Sequence, residues 1–389
     1  MHSEIEWGKH LIPVRGYPMH SQRLSIAATF PAGTVAVEET LARRDIVAVF
    51  LGYPYYTYKG ELRYVPAATR RIRRMLYRLA IPSLTLRIVD LGDIDGEFPA
   101  QNLERIVSAL LHRSHRVVIL GGGQEAAHAL YRAVAAQEVP FTYTLIDRKL
   151  DLLDAISVEE APHRRFHRDM LMDETTDMLA WGQIVGLAWH WVSPVEEELL
   201  HGHLRVPYLR LHEVLSDPNR AEPYLRLPAL VSMDLGIIRG ADAPAVFDPE
   251  PEGLPIEVAA KLMRFAGMGY RTDVLHIANY IPGRDRDGRT AAAVALLIWY
   301  YLEGRLNPQD DFPLPDRSNL EKFTVPVSHP EITHLTFYQH PRSQRWWMEV
   351  IPVMSAGPSR LFPCTRYEYE TALTGEVPRL WDILQLSSP

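Results

Sequence analysis

The chain is 389 residues long and carries 41 Lys and Arg against 48 Asp and Glu, a formal charge of −7, with 47% hydrophobic and 23% charged residues. This is the composition of a globular α/β-sized protein, and its mild acidity argues against a general nucleic-acid binder. The single cysteine, Cys364, excludes an internal disulfide framework and a cysteine zinc cluster, and no apolar run reaches the roughly 20 residues of a membrane span.

Taken in chain order, residues 1–40 show no clear period, and the charged N-terminus lacks the apolar stretch of a signal peptide, so a cytoplasmic location is expected. DIVAVFLG (45–52) reads as a strand. A helix opening at Pro66 puts Ile72, Met75, Leu76 and Leu79 on one face, spaced by three and four. LRIVDLG (86–92) is the next strand, and residues 101–113 are helical. RVVILGG (116–122) is a strand ending in glycines, followed by an Ala-rich helix over 124–137. TYTLID (142–147), GQIVGLAW (182–189) and ALVSMD (229–234) are strands. Helix 255–268, strand 273–280 and helix 289–303 complete the series. Continuously apolar strands suit a parallel sheet covered on both faces, so 41–305 reads as one α/β domain. Residues 306–389 form a C-terminal extension, opening on a Pro/Asp-rich link, with strands near 333–339 and 346–354 and a helix at 366–374.

In such sheets ligands bind beyond the carboxyl ends of the strands. Three strand ends carry polar clusters: GGGQE (121–125), DRKLD (147–151) and SMDLG (232–236). Acids placed directly after buried strands can converge on one cleft, which points to metal or acid–base chemistry. The neighbouring loop holds His163 and His167, where a solvated loop is the plainer reading and a general base the alternative. Glu125 reads as an acid favoured by a helix N-terminus. Arg70, Arg71, Arg73, Arg74 and Arg78 read as a solvated helix face rather than an acidic-partner patch. Asp242 and Asp248 read as loop acids.

VVILGGGQE resembles the GG(D/G)H segment of the ureohydrolases, the arginase/agmatinase/formimidoylglutamase superfamily, in its formimidoylglutamase form GGGxE. LIDRKLD is similar to that family's DAHxD, VSMDLG to S(F/I)DxD, PEGLPIE to PGGLxxE, and IANYIPGRDRDGRTA to ExNPxxDxxxxTA. The resemblance spans roughly residues 41–305. It implies a three-layer α/β/α arginase-like fold with a mainly parallel sheet. It also implies two Mn²⁺ ions, held by two His and four Asp, whose bridging hydroxide attacks a guanidine or formimidoyl carbon.

Carried over by position, the first His falls on Gln124. The Asp, His and Asp of the second segment fall on Asp147, Lys149 and Asp151. The last two Asp fall on Asp234 and Gly236, and the family's Glu falls on Asn279. One family metal uses the positions of Gln124, Asp147, Asp151 and Asp234, an oxygen-rich set open to a single hard cation. The other depends on the positions of Lys149 and Gly236, which offer no lone pair. The Lys149 ammonium is expected to replace the metal charge among the three carboxylates.

The resulting expectation is a ureohydrolase-fold pseudoenzyme without the binuclear manganese site and with no cofactor, acting as a scaffold or regulatory component with a protein partner. The alternatives are a formimidoylglutamase-like hydrolase of linear amidines using one divalent cation, and a small-ligand sensor. A homo-oligomer is also open. In the C-terminal extension, Trp346 and Trp347 stand side by side in a strand and point to opposite faces. With Phe337, Tyr338, Phe362, Tyr367 and Tyr369 they form an aromatic-rich appendage. Packing on the core is one reading, and a partner surface anchored by the tryptophans is the other.

Overall fold

The computed structural model describes residues 5–14, 28–58, 60–80, 82–83, 85–152, 162–173, 177–200, 206–309, 311–314, 316–351 and 359–386. The strands are β1 (Leu11–Ile12), β2 (Ala28–Thr29), β3 (Ala48–Gly52), β4 (Tyr55–Tyr58), β5 (Glu61–Tyr64), β6 (Ile88–Ile94), β7 (Val117–Leu120), β8 (Phe141–Ile146), β9 (Leu179–Leu187), β10 (Tyr208–Arg210), β11 (Leu230–Asp234), β12 (Val274–Ala278), β13 (Glu321–Pro326), β14 (His334–Gln339), β15 (Trp346–Val350) and β16 (Arg360–Cys364). One ten-stranded sheet runs in the order β1-β6-β3-β7-β12-β11-β8-β9-β10, with β2 also on β6. Its pairs are parallel except β1 with β6.

The side-chain period of two divides each strand between two cores. Ala48, Phe50, Val118 and Leu120 face one core, closed by helices Pro66–Leu76, Ile256–Met268 and Arg289–Arg305. Val49, Leu51, Val117 and Ile119 face the other, closed by helices Pro99–His112, Ala126–Ala135 and Pro162–Leu171. Both faces of the sheet are therefore dry, which is why the strands are apolar throughout rather than alternating. This is the three-layer α/β/α arrangement.

Several expectations change. Within residues 1–40, where no period was evident, β1 and β2 both pair with β6. The stretch holding His163 and His167 is the helix Pro162–Leu171 rather than a solvated loop. The arginine-rich helix is not simply solvated. Arg73 is buried and grips Asp90 through Nε and Nη2 at 2.8 and 3.0 Å, while its other nitrogen pairs with Asp93. Arg71 donates to the carbonyls of Pro282 and Asp285, both at 2.8 Å.

The C-terminal segment forms an antiparallel sheet, β13-β14-β15-β16, backed by helices Arg366–Leu373 and Arg379–Leu386. Trp346 stacks on Tyr369 at 4.7 Å inside this unit. Trp347, 1% exposed, lies under the Arg226 guanidinium at 4.8 Å, and Arg226 donates to the Trp346 carbonyl at 2.8 Å. Arg345 joins Glu222 and Asp311, so the sheet is tied to the α/β unit by a buried ionic network. Both tryptophans are consumed by packing within the chain. The reading of Trp346 and Trp347 as partner anchors is withdrawn on that ground.

Candidate functional site

Strands β7, β12, β11 and β8 are neighbours in space, although their order in the chain is different. Their carboxyl ends deliver Gln124, Asn279, Asp234 and Asp147 to one place. Gln124 lies just past the β7 turn, where Gly122 adopts φ 88°. A Cβ on Gly122 would sit 2.5 Å from the Tyr53 ring, so only glycine fits there. The Gly122 carbonyl accepts the Asn279 N–H at 2.8 Å and locks the β12 end to the β7 end. Asn279 has φ 68° and Asp151 has φ 50°, left-handed conformations that Asn and Asp tolerate better than most residues.

The carboxylates are held mainly by amides. Gln124 donates its side-chain N–H to Asp147 Oδ2 at 2.6 Å, and the Lys149 backbone N–H donates to Asp147 Oδ1 at 2.9 Å. The Gly236 N–H donates to Asp234 Oδ1 at 2.8 Å, and the Asn279 side chain also hydrogen-bonds Asp234. Asn279 Oδ1 in turn accepts the Gln124 backbone N–H at 3.2 Å. Two side-chain amides therefore link Asp147 and Asp234 into one network.

These bonds do not cancel the cost of burying several acids together. Burial, and then the Asp234 charge, push the Asp147 carboxyl up to about 7. Burial also raises Asp151 well above the usual carboxylate range, with the Asp147 and Asp234 charges adding to it. Asp234 is raised by burial too.

The expectation for Lys149 is corrected in its detail. The ammonium does not sit among the three carboxylates. It lies 4.4 Å above the Trp191 ring and 3.8 Å from Asp248, with its side chain 29% exposed. It still attracts Asp147, Asp151 and Asp234 at longer range. Arg148 is more firmly held, donating to the carbonyls of Gly236 at 2.9 Å and Asp248 at 2.7 Å. Asp248, read from sequence as a loop acid, thus reaches the site.

A cavity of about 280 Å³ opens over this floor. Gln124, Lys149, Asp151, Asp234, Gly236 and Asn279 all line it, while Asp147 lies behind Gln124. Trp191, Phe247 and Glu196 form further wall positions that no sequence motif marks. Glu196 doubles as the capping-box partner of Ser193. Among the described residues, no group of three or more His, Cys, Asp or Glu side chains is placed to hold an ion.

The remaining candidates act as supports. His167 is fully buried, donates to the Leu150 carbonyl and accepts from the Tyr143 hydroxyl, both at 2.9 Å. Burial pushes its imidazole down to about 4, so it is a neutral strut and not a solvent-facing base. His276, also held down to about 4 by burial, donates to the Gly121 carbonyl and accepts from Ser232 beneath the site. The His163 side chain lies outside the described ones. Glu125 does stand at the N-terminus of helix Ala126–Ala135, but its carboxylate makes no cap bond there; it accepts the Thr57 N–H at 2.6 Å and anchors the β4–β5 hairpin.

The family model of the arginase family matches residues 47–303. Formimidoylglutamase from Paraburkholderia xenovorans (strain LB400) is 26% identical over 270 residues, covering 60% of this chain and 80% of that protein. Proclavaminate amidinohydrolase from Streptomyces clavuligerus is 26% identical over 242 residues, covering 58% and 77%. Among solved structures, formimidoylglutamase from Bacillus subtilis superposes with a TM-score of 0.62 at 18% identity, over 76% of this chain and 96% of that one. Formiminoglutamase from Trypanosoma cruzi, crystallised with Mn²⁺, gives a TM-score of 0.58 at 18% identity, over 68% and 95%.

Proposed function

From the premise that this chain belongs to the arginase family, we propose that it is a formimidoylglutamase-like ureohydrolase fold whose catalytic centre has become a metal-free structural cluster, and that it works as a scaffold or regulatory component with a protein partner. The observation that carries this reading is the donor chemistry at the family's ligand positions. Gln124 turns an amide N–H toward Asp147, Lys149 offers an ammonium, and Gly236 offers no side chain. A thiolate, imidazole or carboxylate is what a transition-metal ion takes from a protein, and an ammonium has no lone pair to give. This donor set does not fit a binuclear manganese centre, so no hydrolytic step is derived through one.

The amides of Gln124 and Asn279, together with the backbone N–H groups of Lys149 and Gly236, take over the task of holding Asp147 and Asp234. Such a network fixes the ends of four strands without a cation. Lys149 and Arg148 supply positive charge at the rim rather than at the centre.

A second reading has support of its own. The named relatives are hydrolases of amidine-type bonds, and the cavity above the acids stays open. On that reading one hard cation bound by oxygen would join Asp147, Asp151, Asp234 and Gln124. The two readings separate in an assay for formamide or urea release from formimidoyl and guanidino substrates, with and without Mn²⁺. The scaffold reading expects no release above the uncatalysed rate. Turnover that depends on Mn²⁺ and is abolished by Asp234→Asn in a folded protein would overturn it.

A further inference from the structure

The β4–β5 hairpin is a sheet of two strands, and its two edges are not alike. On β4 the outward groups are taken: the Thr57 N–H goes to Glu125 and the Tyr55 carbonyl accepts from Gly123 at 2.9 Å. In an antiparallel pair, opposed residues point their backbone groups the same way, both inward or both outward. Thr57 is opposite Leu62 and Tyr55 is opposite Tyr64. The N–H and C=O groups of Leu62 and Tyr64 therefore point away from the hairpin, along an edge that no strand among the described residues covers. All four β5 residues are exposed, including Leu62 at 52% and Tyr64 at 48%. Exposed edges are usually guarded by like charges that repel a second strand. Here the charges are Glu61 and Arg63, one on each side of Leu62; they differ in sign and pair with each other within the strand, so a second copy would exchange two exposed ion pairs inside the strands for two across the seam.

We propose that β5 is an interface with a second copy of this chain, pairing antiparallel about a two-fold axis through Leu62. In that register Leu62 exchanges both backbone bonds with its own copy. Glu61 then lies opposite Arg63, and Arg63 opposite Glu61. These are the non-hydrogen-bonded positions, where opposed side chains approach nearest and unlike charges stabilise most. The tripeptide is self-complementary only in this register. Leu62 meets Leu62 on the opposite face, and the Tyr64 rings flank it. The two hairpins become a four-stranded sheet of the isologous kind. A four-residue edge is small beside a standard interface, so a weak, concentration-dependent dimer is expected. This inference stands apart from the metal question.

The test is sedimentation velocity of the full chain over a concentration series, with thermal melts to confirm that each variant folds. Wild type is expected to self-associate progressively along the concentration series. Arg63→Glu alone and Glu61→Arg alone should each weaken association about tenfold or more, because like charges then face each other twice. Mixing these two variants should restore association, since E-L-E faces R-L-R. The double variant Glu61→Arg/Arg63→Glu should associate as wild type does. A chain that stays monomeric throughout, an assembly indifferent to Arg63→Glu, or variants that fail to complement on mixing would each overturn the proposal.

Discussion

At the scale of single residues, Asp151 carries a strongly shifted carboxyl at this site. It lines the cavity, adopts φ 50°, and is pushed well above the usual carboxylate range by burial and by the charges of Asp147 and Asp234. A carboxyl raised in the folded state binds protons that the unfolded chain has already released. The native protein then holds more protons than the unfolded one, and stability falls as pH rises. The window opens at the unfolded carboxylate value near 4 and extends up through the raised value of Asp151 in the folded protein. Asp151→Asn removes one acid and suits the left-handed backbone. The variant should melt a few degrees above wild type at pH 8, with the gap closing toward pH 5. Differential scanning fluorimetry at the two pH values checks this, and a gap that is larger at pH 5 would reverse the sign. The identity of Gln124, Lys149 and Gly236 was legible in the sequence, because a motif position is read directly. The direction of Lys149 was not. Its ammonium turns to Trp191 and Asp248, and neither residue belongs to a motif.

At the scale of elements, the helices and parallel strands were legible because each follows one simple period. What was missed has a common cause. The arginines of helix Pro66–Leu76 look like a solvated face in one dimension, yet Asp90, Asp93, Tyr77 and Thr69 gather around Arg73 only after β6 packs beside the helix. A buried guanidinium with two carboxylates is costly to break from one side, since it leaves the acids uncompensated. Arg73→Leu should therefore lose about 3–5 kcal/mol of stability in urea unfolding. A loss below about 1 kcal/mol is what a surface ion pair would give, and it would contradict the buried network. The hairpin β4–β5 escaped notice for a similar reason. Its tyrosines alternate poorly in burial, and its anchor, Glu125, is distant in the chain.

At the scale of the whole molecule, the site is a product of strand order. Gln124, Asn279, Asp234 and Asp147 come together only because β7, β12, β11 and β8 lie side by side. No local pattern encodes that order, and the resemblance of several segments to one family supplied it. The C-terminal sheet is the converse case. Its aromatic residues suggested a partner, but Arg226, Glu222, Asp311 and Arg345 bind it to the α/β unit through contacts that cross the chain. No helix among the described residues is long and apolar enough to cross a membrane. On the proposed reading, amide and backbone N–H donors rather than manganese hold the acids at the strand ends. That reading is tested most directly by counting metal ions per chain by mass spectrometry, after incubating the folded protein with excess Mn²⁺ and desalting it. A manganese content near zero, unchanged by Asp234→Asn, is expected. A stoichiometry approaching two ions per chain, lost in that variant, would contradict it.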